Sequence, residues 1–296
     1  MKQNRSIALG TFDGLHLGHK EVLSLAKMQE GIPTALLFSE HPQEVVFGKA
    51  PPALLTNDKR DALLKEMGIE PLTISFKEIF SLSPEDFFYE ILLKRFSAKS
   101  LSCGEDYTFG AHKKGNVEVL KALCEKEHIA LSVAKTICYE KEPVSSTRIR
   151  KAIAEGDMER AKNMLGRPFS FAFPVQHGDA RGRTLDCPTI NQRFPRFFIQ
   201  PKKGVYVSRV FIDGKAYAGV TNFGRRPTIE NTEDVLAETY ILDVSQDLYG
   251  RNVELELLLY LRPEQKFKDL AALKNAIQND SLVAADYFQK ILAKNP

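Results

Sequence analysis

Over the first half of the chain, short apolar runs alternate with segments of helical spacing, and this alternation limits the fold more than any other feature. In the stretch HKEVLSLAKMQE, for example, Val22, Leu25 and Ala26 share one helical face. The apolar runs are 6–9, 33–38, 72–76, 100–103 and 129–134, and the helical segments are 19–30, 57–67, 84–96 and 116–127. Strand–helix–strand alternation requires a parallel sheet covered by helices on both faces. We therefore predict an α/β domain with a Rossmann-like parallel sheet.

The pattern changes near residue 150. Gly156 interrupts a helical stretch, and Asp213-Gly214 lies at the centre of an alternating stretch, which is typical of a hairpin. The predicted elements are two short helices within 146–165, a hairpin about 213–214, strands within 235–244 and 252–263, and a C-terminal helix. We therefore predict an antiparallel β-barrel with a closing helix.

The length of the chain favours two domains, because 296 residues exceed what a single hydrophobic core usually serves. We place the boundary at residue 165, which gives domains 1–165 and 166–296. The chain has 41 Lys and Arg against 38 Asp and Glu, a net charge of +3. Since this balance is not that of a nucleic-acid-binding protein, we expect no nucleic-acid partner.

The four cysteines are scattered and form no CxxC pair, which argues against a disulfide scaffold or a zinc ribbon. The N-terminal residues lack the apolar core of a signal peptide. The sequence has no run of about 18 apolar residues, so no membrane span is expected. We expect a cytoplasmic protein, and nothing in the sequence indicates its oligomeric state.

The stretch LGTFDGLHLGH, residues 9–19, is the most informative motif. Gly10 and Gly14 allow a tight turn, and a helix beginning near Leu17 would direct its free N–H groups at a phosphate. His16 and His19 could bind a metal, clamp a phosphate, or be ordinary surface residues. A metal site is disfavoured because no third His or Cys lies at usable spacing. The full motif favours the phosphate clamp.

Three further stretches suit nucleotide and planar ligands. In PVSSTRIR, Ser145, Ser146 and Thr147 could cap a helix that offers its amides and Arg148 to an anion. In CGEDYTFGAHKKG, a glycine-rich loop with aromatic residues suits a planar ligand, although a mobile loop with a basic tip is equally compatible. In HGDARGRTLDCPTIN, the hydroxyl and amide oxygens of the Pro-Thr-x-Asn ending suit Mg²⁺, although a surface turn is the simpler interpretation.

A fifth candidate is Glu238 in LAETYILD, which shares a strand face with Tyr240. A carboxylate there could accept the proton of an attacking hydroxyl. An exposed glutamate on a sheet is the commoner reason for such a residue.

Together, these stretches resemble the prokaryotic bifunctional riboflavin kinase/FAD synthetase family, in the family's order and over nearly the whole chain. GTFDGLHLGH, GEDYTFG and SSTRIR resemble the adenylyltransferase half. Six other stretches resemble the kinase half of the family: HGDARGRTL, PTIN, VTNFGRRPT, AETYILD, DLYG and LRPEQKF. The resemblance implies ATP-dependent phosphorylation of riboflavin to FMN in the C-terminal domain. It also implies adenylylation of FMN to FAD in the N-terminal domain, with release of pyrophosphate.

The resemblance also implies site residues, with Mg²⁺ as cofactor and riboflavin, FMN and ATP as substrates. The implied catalytic residues are Glu238, His16, His19 and Arg148. The implied ATP-binding residues are Gly10, Phe12, His16, Gly18, His19, Ser146, Thr147, Arg148, Gly178, Gly182, Thr189 and Asn191. The implied flavin-binding residues are Asp106, Phe109, Arg262 and Phe267, with residues 262–267 as a flap over the flavin, and the implied metal ligands are Thr189 and Asn191.

The chain departs from the family pattern at three places. Asp186-Cys187 stands where the family usually has Gly-Phe, Ser39-Glu40 where it usually has Asp-Pro, and Tyr240 where it often has His.

Other classes of protein fit the sequence less well. A class I aminoacyl-tRNA synthetase needs a KMSKS-like loop, and a coenzyme A-pathway adenylyltransferase leaves the second domain unexplained. No GxxxxGK[ST] motif is present. A flavin-binding regulator without turnover, and an enzyme that adenylylates FMN but phosphorylates riboflavin poorly, remain as alternatives.

Overall fold

The computed structural model describes residues 3–177, 189–226, 234–244 and 246–294. The chain divides into two compact units, Met1–Ser146 and Thr147–Pro296. The unit boundary lies before the two helices that the sequence predicts between residues 146 and 165, whereas the predicted domain boundary lies after them.

The first unit is built on a parallel sheet, as predicted. Its strands are β1 (Arg5–Leu9), β2 (Ile32–Phe38), β3 (Glu70–Ile74), β4 (Ala98–Gly104) and β5 (Ala130–Ala134). They lie in the order β3-β2-β1-β4-β5, and every pairing is parallel. The connecting helices include α1 (Leu17–Lys27), α2 (Pro42–Phe47), α3 (Asn57–Glu66), α4 (Phe76–Ile79), α5 (Pro84–Asp86) and α6 (Val117–Lys126).

The central strand β1 buries apolar residues on both faces because helices cover both. On β1, Ile7 and Leu9 belong to one buried cluster and Ala8 to another. The second cluster includes Val22 and Leu23 of α1. This arrangement explains why the first half reads as continuous apolar runs rather than as alternating strands.

Two local features differ from the sequence-based expectation, and a third was not predicted. Strand β3 ends at Ile74, and Phe76 already belongs to α4. The segment predicted as one helix over 84–96 is α5 followed by a π-helix, Phe87–Arg95, which turns four apolar side chains inward. A short hairpin, β6 (Cys138–Tyr139) and β7 (Glu142–Pro143), separates the last sheet strand from the Ser-Ser-Thr-Arg stretch.

The helices α7 (Ser146–Glu155) and α8 (Met158–Leu165) are separated at Gly156, as predicted, and all of their residues except Ser146 belong to the second unit. A closed antiparallel barrel follows, with strand order β10-β11-β12-β9-β8-β13. Its strands are β8 (Phe169–Gln176), β9 (Thr189–Arg193), β10 (Gly204–Ile212), β11 (Lys215–Arg226), β12 (Asp234–Ile241) and β13 (Asn252–Arg262). The predicted hairpin at Asp213-Gly214 joins β10 to β11.

Phenylalanine rings fill much of the barrel interior, with ring centroids 4.6–6.1 Å apart around Phe194 and Phe198. Three buried hydroxyls also lie inside: Thr221 Oγ1 donates to Ser208 Oγ (2.8 Å) and is 2.9 Å from Thr239 Oγ1. Each hydroxyl comes from a different strand, so the contacts help to fix the register of β10, β11 and β12. The long helix α9 (Leu270–Lys294) packs through Ala284 against Val205 and Val220 and closes the barrel, as predicted.

Candidate active sites

The first candidate site lies at the switch point of the parallel sheet, where the order of successive strands reverses. Strand β1 is central, with β2 on one side and β4 on the other. The loops that follow β1 and β4 therefore leave the same carboxyl edge on adjacent strands. Parallel α/β sheets bind ligands at this position. The loop after β1 carries the two histidines, and the loop after β4 carries the glycine-rich stretch.

The backbone of the β1 loop is tightly constrained. Phe12 and Leu15 have left-handed φ values of 50° and 44°, and Gly14 has 83°. The Phe12 ring is fully buried and lies over Gly10, where a Cβ atom would come within 3.2 Å of it. Left-handed conformations in residues other than glycine are costly and concentrate at functional sites.

The two histidine rings stack on each other, 3.6 Å apart and 15° from parallel. His16 caps α1, and its Nδ1 accepts a hydrogen bond from the His19 amide at 3.3 Å. Gly18 allows this geometry, because a Cβ atom there would lie 3.3 Å from the His16 ring. The first turn of α1 also presents the amides of Leu17 and Gly18, which have no partner within the helix. This helix start has the geometry of an anion site.

Two effects disfavour protonation of the His19 ring. Burial, and then the neighbouring His16, lower the pKa of His19 well below its usual 6.5. Its Nδ1 atom is buried and has no hydrogen-bond partner among the described residues. A polyanion beside the ring would favour the protonated form, since an opposite charge raises the pKa of a histidine.

Asp13 connects this loop to two distant segments. Its Oδ1 accepts a hydrogen bond from the Leu54 amide (3.0 Å), and its backbone oxygen accepts one from Ser146 Oγ (2.9 Å). The structure therefore brings Ser146 to the histidine loop, across 133 residues of sequence. Thr147 and Arg148 follow Ser146 in the first turn of α7, where Thr147 is exposed and Arg148 half-buried. Sequence reasoning did not identify Asp13 as the connecting residue.

The loop after β4 is anchored rather than loosely attached. Phe109 is 7% exposed and packs against Tyr107 and Phe87, and its backbone pairs with Gly115 through two hydrogen bonds. Asp106 is exposed and folds back over Gly104. Of the two residues that the resemblance places near the flavin, Asp106 can therefore touch a ligand directly. Phe109 belongs to the core beneath it.

The Ser39-Glu40 departure has a structural counterpart at the end of β2. Glu40 accepts hydrogen bonds from Ser39 Oγ, Ser75 Oγ and the Phe76 amide, at 2.8–3.1 Å. These bonds, the one from Ser39 first, lower the pKa of Glu40 below its usual value. A charged Glu40 therefore connects the end of β2 to the start of α4.

The second candidate site lies on the outer face of the barrel. Glu238 of β12 is the direct cross-strand partner of Asn222 on β11 and of Asn191 on β9. Directly opposed residues in antiparallel strands lie on the same face. Glu238 is exposed, whereas its neighbours Ala237 and Thr239 are fully buried toward the interior. Tyr240 lies on the same face as Glu238, as predicted, and it is the cross-strand partner of Thr189.

Asn191 has the features of a cation ligand. It is 6% exposed, and its side-chain oxygen is buried without a hydrogen-bond partner in the described part of the chain. Buried amide oxygens are rarely left unpaired. With Thr189 two residues away, the row offers hard oxygen atoms of the type that Mg²⁺ accepts alongside substrate phosphates. The donor set therefore fits Mg²⁺.

Arg262 and Phe267, predicted to contact the flavin, lie at the two ends of the segment 262–267 that the resemblance implies is a flap. The Arg262 guanidinium lies 5.7 Å from the centre of the Phe267 ring and forms an ion pair with Asp280 of α9. Sequence reasoning did not identify Asp280. Gly178, Gly182 and Asp186-Cys187 lie outside the described residues.

Cysteine chemistry is not a feature of the first site. Cys103, at the end of β4, is fully buried, and burial raises the pKa of its thiol to about 12. A thiol in that state is not a nucleophile near neutral pH.

The two candidate sites together define the class of protein. The first unit has an anion-binding loop at the switch point of a parallel sheet, and the barrel sets a carboxylate beside hard oxygen ligands. A chain with both sites is a two-domain nucleotide-dependent transferase.

Comparisons with known proteins identify the family. The family model of FAD synthetase matches residues 1–148, and that of riboflavin kinase matches residues 165–288. The bifunctional riboflavin kinase/FMN adenylyltransferases of Haemophilus influenzae and Escherichia coli are both 35% identical to the chain. The matches cover 97% and 95% of this chain, and 95% and 92% of those proteins. The chain belongs to this bifunctional family, and its activities are those of a riboflavin kinase and an FAD synthetase.

A solved structure supports the fold over nearly the full length. A protein from Streptococcus pneumoniae, described as a macrolide-efflux protein, is 32% identical, with a TM-score of 0.85. The match covers 94% of this chain and 93% of that one. Its described role differs from that of the curated relatives. In the described parts of this chain, no helix is both long and apolar enough to cross a membrane.

Proposed function

We propose that the two activities are divided at residue 165, with FMN adenylylation at the histidine loop and riboflavin phosphorylation at the Glu238 row. The match to the FAD synthetase model, 1–148, ends before this boundary, and the match to the riboflavin kinase model, 165–288, begins at it. The observation that carries the proposal is the row Asn222–Glu238–Asn191, which places a carboxylate directly beside a buried amide oxygen that has no hydrogen-bond partner within the described residues.

In the kinase step, Glu238 takes the proton of the terminal hydroxyl of riboflavin as that oxygen attacks the γ-phosphorus of ATP. The bond between the γ-phosphorus and the bridging oxygen breaks, and FMN and ADP result. Asn191 and Thr189 would hold Mg²⁺, which neutralises phosphate charge when it is bound. The exposed position of Glu238 suits this role, because a general base must reach the hydroxyl of the substrate.

In the adenylylation step, a phosphate oxygen of FMN attacks the α-phosphorus of a second ATP, and pyrophosphate leaves. His16, His19 and the first-turn amides of α1 hold the phosphates. Ser146, Thr147 and Arg148 complete the ATP site, with Gly10, Phe12 and Gly18 shaping the loop. Asp106 contacts the flavin, and Phe109 supports its loop from the core. Positioning and charge stabilisation are the main contributions of a protein to this chemistry.

The test is a single incubation of the purified full-length chain with riboflavin, ATP and Mg²⁺, with the flavins resolved by chromatography over time. We expect FMN to appear first and FAD to follow. Flavin binding without any product would support a regulator and refute the enzyme. FAD formed from added FMN, but not from riboflavin, would refute the kinase half alone.

A further inference from the structure

Arg262, the last residue of β13, forms a forked ion pair with Asp280 of α9. Its Nη2 lies 2.7 Å from Asp280 Oδ2, and its Nε lies 3.1–3.2 Å from both carboxylate oxygens. Asp280 is 8% exposed. A forked arginine–carboxylate contact fixes direction as well as distance. Arg262 therefore has one defined orientation at the start of the flap.

The same guanidinium organises the rest of the flap. Arg262 Nη1 donates to the backbone oxygen of Pro263 at 3.4 Å, and its Cζ lies 5.7 Å from the centre of the Phe267 ring. Arginine over an aromatic ring is an attractive contact. Arg262 therefore contacts residues at the start and at the end of the flap, and Asp280 fixes the position of Arg262.

The middle of the flap lies against the strand beside Glu238. Glu264 Oε1 accepts a weak hydrogen bond from Asn222 Nδ2 at 3.4 Å. The Glu264 carboxylate also occupies the space above Gly224, where a Cβ atom would overlap it. Asn222 is the cross-strand neighbour of Glu238. Asp280 is therefore linked to the proposed kinase site through its ion pair with Arg262, through the flap backbone from Arg262 to Glu264, and through the Glu264–Asn222 hydrogen bond.

We propose that Asp280 is a positioning residue for the riboflavin kinase reaction, which holds the flap in place for riboflavin by fixing Arg262. The inference rests on the proposed placement of that reaction at Glu238. Asp280 lies on a helix that no sequence motif connected with either activity. A flap held in place before the substrate arrives lowers the entropy cost of binding it. The effect of losing Asp280 should therefore fall on riboflavin binding rather than on phosphoryl transfer.

The test compares Asp280→Asn with the wild-type full-length enzyme in steady-state kinetics of both reactions. We expect the KM for riboflavin to rise by about tenfold, with kcat within about threefold and the KM for ATP unchanged. FMN adenylylation should be unaffected. Asp280→Glu, which keeps the charge, should recover part of the loss.

Asp286→Asn is the matched control. Asp286 lies on the same helix, is largely exposed, and pairs with Lys290 at 2.6 Å. Its substitution should change neither reaction. The proposal is overturned if Asp280→Asn behaves like Asp286→Asn. It is also overturned if thermal stability, kcat and the KM values for both substrates change together, because that pattern indicates general support of the fold.

A second variant keeps the proposal testable if Asp280→Asn does not fold. Arg262→Lys preserves the positive charge but removes the forked contact and the planar contact with Phe267. It should raise the KM for riboflavin with little change in kcat, and an unchanged KM would overturn the proposal. Wild-type enzyme that made no FMN would instead refute the kinase function itself.

Discussion

Glu238 and Asn191 are direct cross-strand partners on the outer face of the barrel, although 47 residues separate them in sequence. Glu238 is exposed, and the oxygen of Asn191 is buried and unpaired within the described residues. The pair combines a carboxylate that can accept a proton with an oxygen atom that can bind a cation. This combination suits a phosphoryl transfer to a hydroxyl group.

Replacing Glu238 with Gln should selectively damage the kinase. The amide keeps the shape of the side chain but cannot take the proton of the attacking hydroxyl. General-base catalysis typically contributes about 10²–10⁴-fold, so FMN formation should fall by about 10²-fold or more. FAD formation from added FMN serves as the internal control and should not change. FMN formation at the wild-type rate would show that Glu238 is a spectator.

Replacing Asn191 with Leu should distinguish a role of this residue in Mg²⁺ binding from a role in the stability of the fold. The substitution removes a buried oxygen that has no hydrogen-bond partner in the part of the chain that the structure describes, and burying an unpaired polar atom is unfavourable. We therefore expect unfolding by denaturant to require the same or a higher concentration, while the Mg²⁺ concentration needed for half-maximal kinase activity rises. If stability and kinase activity fall together, Asn191 is a structural residue.

Replacing His19 with Ala should impair the adenylylation of FMN and leave the phosphorylation of riboflavin intact. Loss of one well-placed donor to a transition state costs about 10²–10³-fold in rate. The rate of FAD formation from FMN should fall by this amount, and FMN formation from riboflavin should remain. Equal losses in both assays would show that the two activities are not independent.

The stability of the protein should depend on pH through His19. Burial lowers the pKa of His19 below 6.5 in the folded state, so the unfolded chain binds more protons as the pH falls below that value. Stability rises with pH wherever the unfolded state binds more protons. The free energy of unfolding should therefore decrease between about pH 7 and about pH 5, and His19→Gln should reduce the decrease.

Denaturant unfolding at several pH values measures this effect. His128→Asn is a suitable control, because His128 is an exposed residue with a left-handed φ of 54°, a conformation that asparagine tolerates. The control should retain the wild-type pH dependence. An identical dependence in His19→Gln and the wild type would contradict the assignment.

The sequence predicted the elements well where a repeating pattern or a turn signal marked them, and less well where distant contacts decided the structure. Strand β1, helix α1 and the Asp213-Gly214 hairpin follow from apolar periodicity and turn chemistry. The π-helix over Phe87–Arg95 has helical apolar spacing, so its changed hydrogen bonding is not visible in the pattern.

Within the sites, motif order pointed to His16, His19 and Glu238, but their partners required the fold. Asp13 meets Ser146 because two loops converge at one sheet edge, and Asn191 meets Glu238 because of the register of the barrel. Asp280 carries no local signal, since one acidic residue on a C-terminal helix is ordinary. Long-range register and ion pairing depend on closure of the whole barrel, and periodicity does not encode them.

Replacing Thr221 with Val should weaken the barrel by removing the central hydroxyl of the buried cluster. Thr221 Oγ1 contacts both Ser208 Oγ and Thr239 Oγ1, so its loss leaves two buried hydroxyls without their shared partner. Such a loss costs about 1–3 kcal/mol in the free energy of unfolding. Equilibrium denaturation should show this decrease, while Thr221→Ser, which keeps the hydroxyl, should lose less. A stability equal to that of the wild type in Thr221→Val would mean that apolar packing alone fixes the register that places Glu238 beside Asn191.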